Sequence, residues 1–192
     1  MLTHRSMIVA GWLAMASAFI TLPLAYVSFL LEGKTDPTSS LMLSIMQVFG
    51  TLLFIAIILY LKRLLNSLFQ FHDTNGLMAL MIVANSVAGF FVVLSLTFPQ
   101  LKETMGVVAT VLVIFQGVIQ VQFGYRLLRL EDNLGGLLKP FCYSNMATGI
   151  CIASVVLIFF GVVVSAIADL MLGTIFFQIA KTRFPQEKNE MD

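Results

Sequence analysis

Charge is what this sequence has least of. Lys, Arg, Asp and Glu make up 11% of its 192 residues, against 59% hydrophobic residues. The mean hydropathy is +0.96. Such a balance describes a polytopic membrane protein. Histidine is nearly absent as well: there are two. His4 is in the amino-terminal tail and His72 in a loop, neither inside an apolar run where a pair of haem ligands would have to sit. The two cysteines, Cys142 and Cys151, fall nine residues apart in one predicted helix. That separates them by roughly 13 Å, too far for a disulfide, and neither has a CxxC partner.

No His, Cys and carboxylate cluster has metal-ligand spacing, and no P-loop, GxGxxG, HExxH or GxSxG pattern occurs. These absences set the expectation of a non-enzymatic protein with no cofactor and no metal. Basic residues come at about two per loop, too few for nucleic acid.

What the chain does have is long uncharged runs: Ser6–Leu31, Pro37–Leu61, Thr74–Leu101, Thr104–Tyr125 and Pro140–Ala168, then a shorter Leu170–Ala180. About 20 apolar residues cross a hydrocarbon core, so five runs are long enough and the sixth is not. The first run begins like a secretory signal, with His4 and Arg5 ahead of it and Ala16-Ser17-Ala18 resembling a cleavage site. It continues apolar to Leu31, which reads as an uncleaved first helix. Little length remains outside the runs, so 1–192 is expected to be one transmembrane domain.

Loop charge orients the chain, because basic residues are retained in the cytoplasm. With the amino terminus inside, the loops at 62–73 and 126–139 fall inside and those holding Lys34 and Lys102 fall outside. Five crossings leave six basic residues inside and five outside; six crossings give nine against two. Charge therefore favours a sixth crossing after a tight turn at Val164–Asp169. Two features favour a single long last helix. The turn contains neither Gly nor Pro, and Gly161, Ser165, Asp169 and Gly173 form a four-residue stripe natural to continuous helix. The expected fold is an all-α, polytopic integral membrane helical bundle of six transmembrane helices, the alternative being five with the last one long. The helices fall at about 6–31, 38–66, 74–98, 104–129, 140–163 and 165–181.

Local chemistry supports these limits. Asp36-Pro37 followed by hydroxyl residues suits the start of the second helix. Asp73 or Thr74 can cap the third, Pro99 ends it, and Pro140 suits the first turn of the fifth. Pro23 predicts a kink in the first helix. Met78–Phe91 and Met146–Phe159 share residues at an offset of 68, as Gln47 and Phe54 do with Gln116 and Phe123 at 69; this raises a parallel repeat of helices 2–3 in helices 4–5. The segments Leu61–Phe71 and Tyr125–Leu130 mix basic and apolar residues as interfacial continuations of their helices, with Phe69 and Phe71 toward the acyl boundary.

Polar groups inside the membrane are the functional candidates. Asp169 is the one carboxylate in or beside a span; near the outer end in the six-helix reading, it becomes intramembrane in the five-helix one. Gln116 and Gln120 share a face of helix 4, Gln47 and Thr51 a face of helix 2, Asn85 sits mid-helix 3, and Ser144 and Asn145 begin helix 5. They can line a polar path or simply hydrogen-bond between helices. Ala10, Ala14 and Ala18 beside Gly11, and Ala84 and Ala88 beside Gly89, let backbones approach closely, within one chain or across a homo-oligomer. The sequence resembles small bacterial integral membrane proteins in general look, which implies the cytoplasmic (inner) membrane, and loop charge gives the expectation of a cytoplasmic amino terminus. The expected role is binding a partner protein, lipid or apolar ligand in the bilayer; the alternative is a small transporter or channel using helices 2, 3 and 4.

Overall fold

The computed structural model of the chain describes residues 2–31 and 36–184. Among the described residues there are six long helices and no strand: α1 (His4–Leu31), α2 (Pro37–Leu68), α3 (Asn75–Thr97), α4 (Lys102–Leu127), α5 (Leu138–Ala153) and α6 (Ile158–Arg183). All but α5 are long and apolar enough to cross a membrane. Trp12, Phe19, Phe29, Leu41, Phe90 and Val107 point outward, a surface that water would penalise and lipid tails accept.

The order of passes follows from which residues meet. Gly11 of α1 lies against Phe177 of α6, and Ser17 against Asp169. Residue numbers rise along one helix as they fall along the other, so α6 returns antiparallel to the end where α1 begins. That end, the basic end, gathers Arg5, Lys62, Arg63, Arg126, Arg129, Lys139, Lys181 and Arg183. There Arg183 pairs with Asp132 at 3.2 Å, and Arg126 donates to the Asp73 carbonyl. The charge argument for an even number of passes thus meets a helix arrangement of the same parity. Lys34 and Lys188 lie outside the described residues.

The boundary between α5 and α6 differs from expectation. The reversal occupies Ser154–Leu157, so α5 ends at Ala153 rather than at 163, and Val164–Asp169 is continuous helix. A serine and a left-handed valine take the place of Gly and Pro. Val155 adopts φ 60°, while Ser154 Oγ donates to the Cys151 carbonyl and accepts the Leu157 N–H. The stripe of Gly161, Ser165, Asp169 and Gly173 is therefore on one helix, as its period implies, without removing a sixth helix. The tip is apolar: Val156, Phe159 and Phe160 are exposed, and no charge occurs between Lys139 and Asp169. At 16 residues, α5 is about 24 Å long, shorter than the hydrocarbon core. An exposed apolar tip of this kind suits the lipid boundary better than open water.

The same turn removes the repeat. Ile82–Phe91 is unbroken α3, whereas its counterpart, residues 150–159, runs across the reversal. Shared letters here reflect a narrow apolar alphabet. Other local expectations divide. Asp36 caps α2, its carboxylate accepting from the Ser39 N–H and hydroxyl at 2.9 and 2.8 Å. Thr74 does not cap α3; it sits in helical conformation with a buried, unpartnered hydroxyl. Phe69 and Phe71 turn inward onto the core instead of toward lipid, because the chain reverses at Gln70, φ 49°. The α1 helix continues through Pro23.

Two glycine crossings hold the bundle. A Cβ on Gly173 would lie 3.1 Å from the Gly11 carbonyl, so the Ala10, Ala14 and Ala18 face of α1 is filled by α6 of the same chain. Between α4 and α5 the approach is closer: Cβ atoms on Gly117 or Gly149 would each lie 2.6 Å from the other's carbonyl oxygen. At the basic end the core is closed by Met7, Leu64, Leu65, Met78, Leu127 and Phe176, all fully buried.

Candidate functional site

Asp169 stands near the middle of α6, roughly 16 Å from its start by helical rise. The expectation that six helices would leave it near the outer end is corrected by the earlier turn, which adds Ile158–Ala168 ahead of it. It falls at mid-helix of a candidate span in a bundle of six. Ser17 of α1 faces it, and its hydroxyl donates to Asp169 Oδ2 at 2.7 Å. The glycine crossing one to two turns away brings α1 and α6 close enough for so short a side chain to reach.

Above the closed core lies a cavity of about 240 Å³ to which every helix contributes. Its lining includes Ser17 from α1, Phe54 from α2, Asn85 from α3, Gln120 from α4, Asn145 from α5 and Asp169 from α6. Gln120 Nε2 donates to Asn145 Oδ1 at 3.3 Å, and Asn145 Nδ2 donates on to the Phe141 carbonyl at 3.0 Å. Toward the end opposite the basic residues, a wider cleft of about 560 Å³ runs between α1, α2 and α3, lined by Ser28, Gln47, Thr51 and Ser95. Thr21, Leu24, Gly50 and Asn85 line both spaces, which are therefore neighbours. Together the two spaces, with polar groups along mostly apolar walls, extend from mid-bundle toward the end opposite the basic residues.

The candidates named from sequence are placed unevenly. Asp169, Asn85 and Gln120 meet in the inner cavity; Gln47 lines the outer cleft, its amide donating to Thr51 at 3.5 Å. Gln116, half-buried, is outside the lining of both. Four residues turn the helix by about 40°, enough for α4 to present Gln120 and not Gln116. Ser17 and Ser165 went unread as site residues, the first inside a signal-like pattern and the second inside a small-residue stripe. A hydroxyl in the middle of an apolar run was the available signal for Ser17.

The electrostatics are one-sided. Among the described residues no basic side chain lines either space. A carboxylate at membrane depth costs at least a few kcal/mol, and Ser17 satisfies only one of its oxygens. Asn85 Oδ1 is buried without a partner, a loss of about 1–3 kcal/mol for such a group. No group of three or more His, Cys, Asp and Glu residues suited to a metal occurs among the described residues. The recess thus holds one acid among carboxamides and hydroxyls and, among the described residues, no base. Comparison with protein-family models, with curated proteins and with solved structures finds no match to this chain.

Proposed function

We propose that the chain is a non-enzymatic multi-pass membrane protein that admits a small solute from the end opposite the basic residues and holds it against Asp169. The observation that carries this reading is the recess itself. A cavity adjoining a cleft toward one end has Asp169, the one acidic residue of its lining, on its wall and an apolar plug beneath. Ligand sites commonly combine apolar walls with a few convergent polar groups in this way. Retention of basic residues in the cytoplasm sets the basic end inside a bacterial cytoplasmic (inner) membrane, so the cleft opens outward. The ligand expected from sequence, apolar and bilayer-borne, becomes one with an apolar body and a polar head.

Transport is the second reading. A mid-membrane site open to one side and plugged on the other is the form one state of an alternating-access carrier takes.

Gly50 tests the recess. It lines both spaces, and a Cβ there meets nothing within 4 Å. In a background of Cys142→Ala and Cys151→Ala, a Gly50→Cys thiol is expected to react with a membrane-impermeant maleimide added outside. If Gly106→Cys at the outer start of α4 is labelled while Gly50→Cys stays unreactive, the open recess is refuted.

A further inference from the structure

Resting on that reading, we infer that the inner cavity binds a singly charged organic cation whose N–H head meets Asp169 and Asn85 and whose apolar body lies among phenylalanines. Three observations converge on this chemistry. The first is charge: Asp169 enters the cavity with a neutral hydroxyl as its partner and with no cation lining the space among the described residues. A ligand bringing one positive charge supplies the counter-ion that the fold omits.

The second is hydrogen-bond sense. Asn85, whose Oδ1 is a buried acceptor without a donor, is among the residues that line the same space as Asp169, and a turn of its side chain brings that oxygen to a bound head group. The Asn145 amide directs one N–H to the Phe141 carbonyl of its own helix. Asp169 likewise has a donor on only one of its two oxygens, and an ammonium head has up to three N–H groups.

The third is the wall. Phe49, Phe54, Phe123 and Phe141 line the cavity, and aromatic faces attract cations and accept apolar bodies alike. A bare metal ion fits poorly. Calcium and magnesium need six or more oxygens in close array, whereas one carboxylate and scattered amides face a space of about 240 Å³ bounded by rings.

The test uses the full chain in lipid nanodiscs and calorimetric titration with phenethylammonium, its neutral counterpart 2-phenylethanol, and sodium or potassium chloride. Phenethylammonium is expected to bind at least about tenfold more tightly than 2-phenylethanol, a difference of about 1.4 kcal/mol. Asp169→Asn should erase that preference, and Asp169→Glu should restore part of it. Equal affinity for the ammonium and the alcohol overturns the cationic head and leaves the recess standing. Competition by sodium or potassium at the affinity of phenethylammonium overturns the organic ligand in favour of an inorganic ion. No binding by any probe, with Gly50→Cys still reactive, overturns the cation site alone. An unreactive Gly50→Cys overturns the proposed function beneath it.

Discussion

The bond between Ser17 and Asp169 joins residues 152 positions apart, and its energy can be isolated. Ser17 is 9% exposed and its hydroxyl lies 2.7 Å from the carboxylate. Ser17→Ala removes the one donor that Asp169 has. Hydrogen bonds to charged groups are worth about 1.5–3 kcal/mol in soluble proteins, while interhelical ones in membranes average about 0.6 and reach about 1.7. A coupling of about 1–2 kcal/mol is therefore expected. Asp169→Ala alone should cost little, because it also removes an unneutralised carboxylate from the bundle interior; the freed Ser17 hydroxyl can turn to its own helix backbone.

The decisive quantity is the effect of Ser17→Ala in the Asp169→Ala background. It should fall within about 0.5 kcal/mol of zero. Thermal unfolding in detergent can follow Trp12, the single tryptophan, whose ring meets Phe177 of α6 at 5.6 Å and so reports the α1–α6 interface. For a chain of this size 1 kcal/mol moves the midpoint by roughly 2–4 °C. An equal loss from Ser17→Ala in both backgrounds would refute the reasoning, since the serine would then act by packing and not through its hydrogen bond.

Three further outcomes are expected. Gly149→Val should destabilise by about 1–3 kcal/mol, seen as a lower unfolding midpoint, because a Cβ there lies 2.6 Å from the Gly117 carbonyl and 2.8 Å from Val121. An unchanged midpoint would mean that α4 and α5 do not touch at this crossing. Val155→Gly should raise stability by about 1 kcal/mol by relieving a β-branched residue at φ 60°; a loss of stability would refute the left-handed turn. In the background without native cysteines, Gly76→Cys and Gly106→Cys, both facing open space, should react with impermeant maleimide from opposite sides, and labelling from one side would refute the order of passes.

Much of the fold was legible because lipid imposes a simple rule on sequence. The limits of α2 and α3, at Pro37–Leu68 and Asn75–Thr97, fall within two residues of those read from uncharged runs and flanking polar residues. The reversal at Ser154–Leu157 was illegible for the same reason. In a tip that meets lipid, water-seeking turn residues are not required, and a serine hydroxyl closes the turn among valines. The candidate site was half legible. Asp169 and Asn85 stand out against an apolar alphabet, and both line the cavity. The partner of Asp169 could not be read from one chain, since nothing local to Ser17 marks a contact across 152 residues. Gln116 misled because four-residue spacing puts two side chains on one face, while a narrow cavity admits only one of them.

The apolar tip between α5 and α6 also bears on how the chain is made. As α5 leaves the ribosome it offers a 16-residue segment that carries Lys139, Ser144, Asn145 and Thr148, a poor candidate to enter lipid alone. Its neighbour α6 is longer, 26 residues, and the link between them has no charge to anchor it on the far side. The two are therefore suited to partition into the bilayer together, as a preformed hairpin. Asn145 and Asp169 then arrive in the membrane in one event, and the cavity wall around Asp169 is assembled last, when α1, waiting since the start of synthesis, receives α6 along its glycine face.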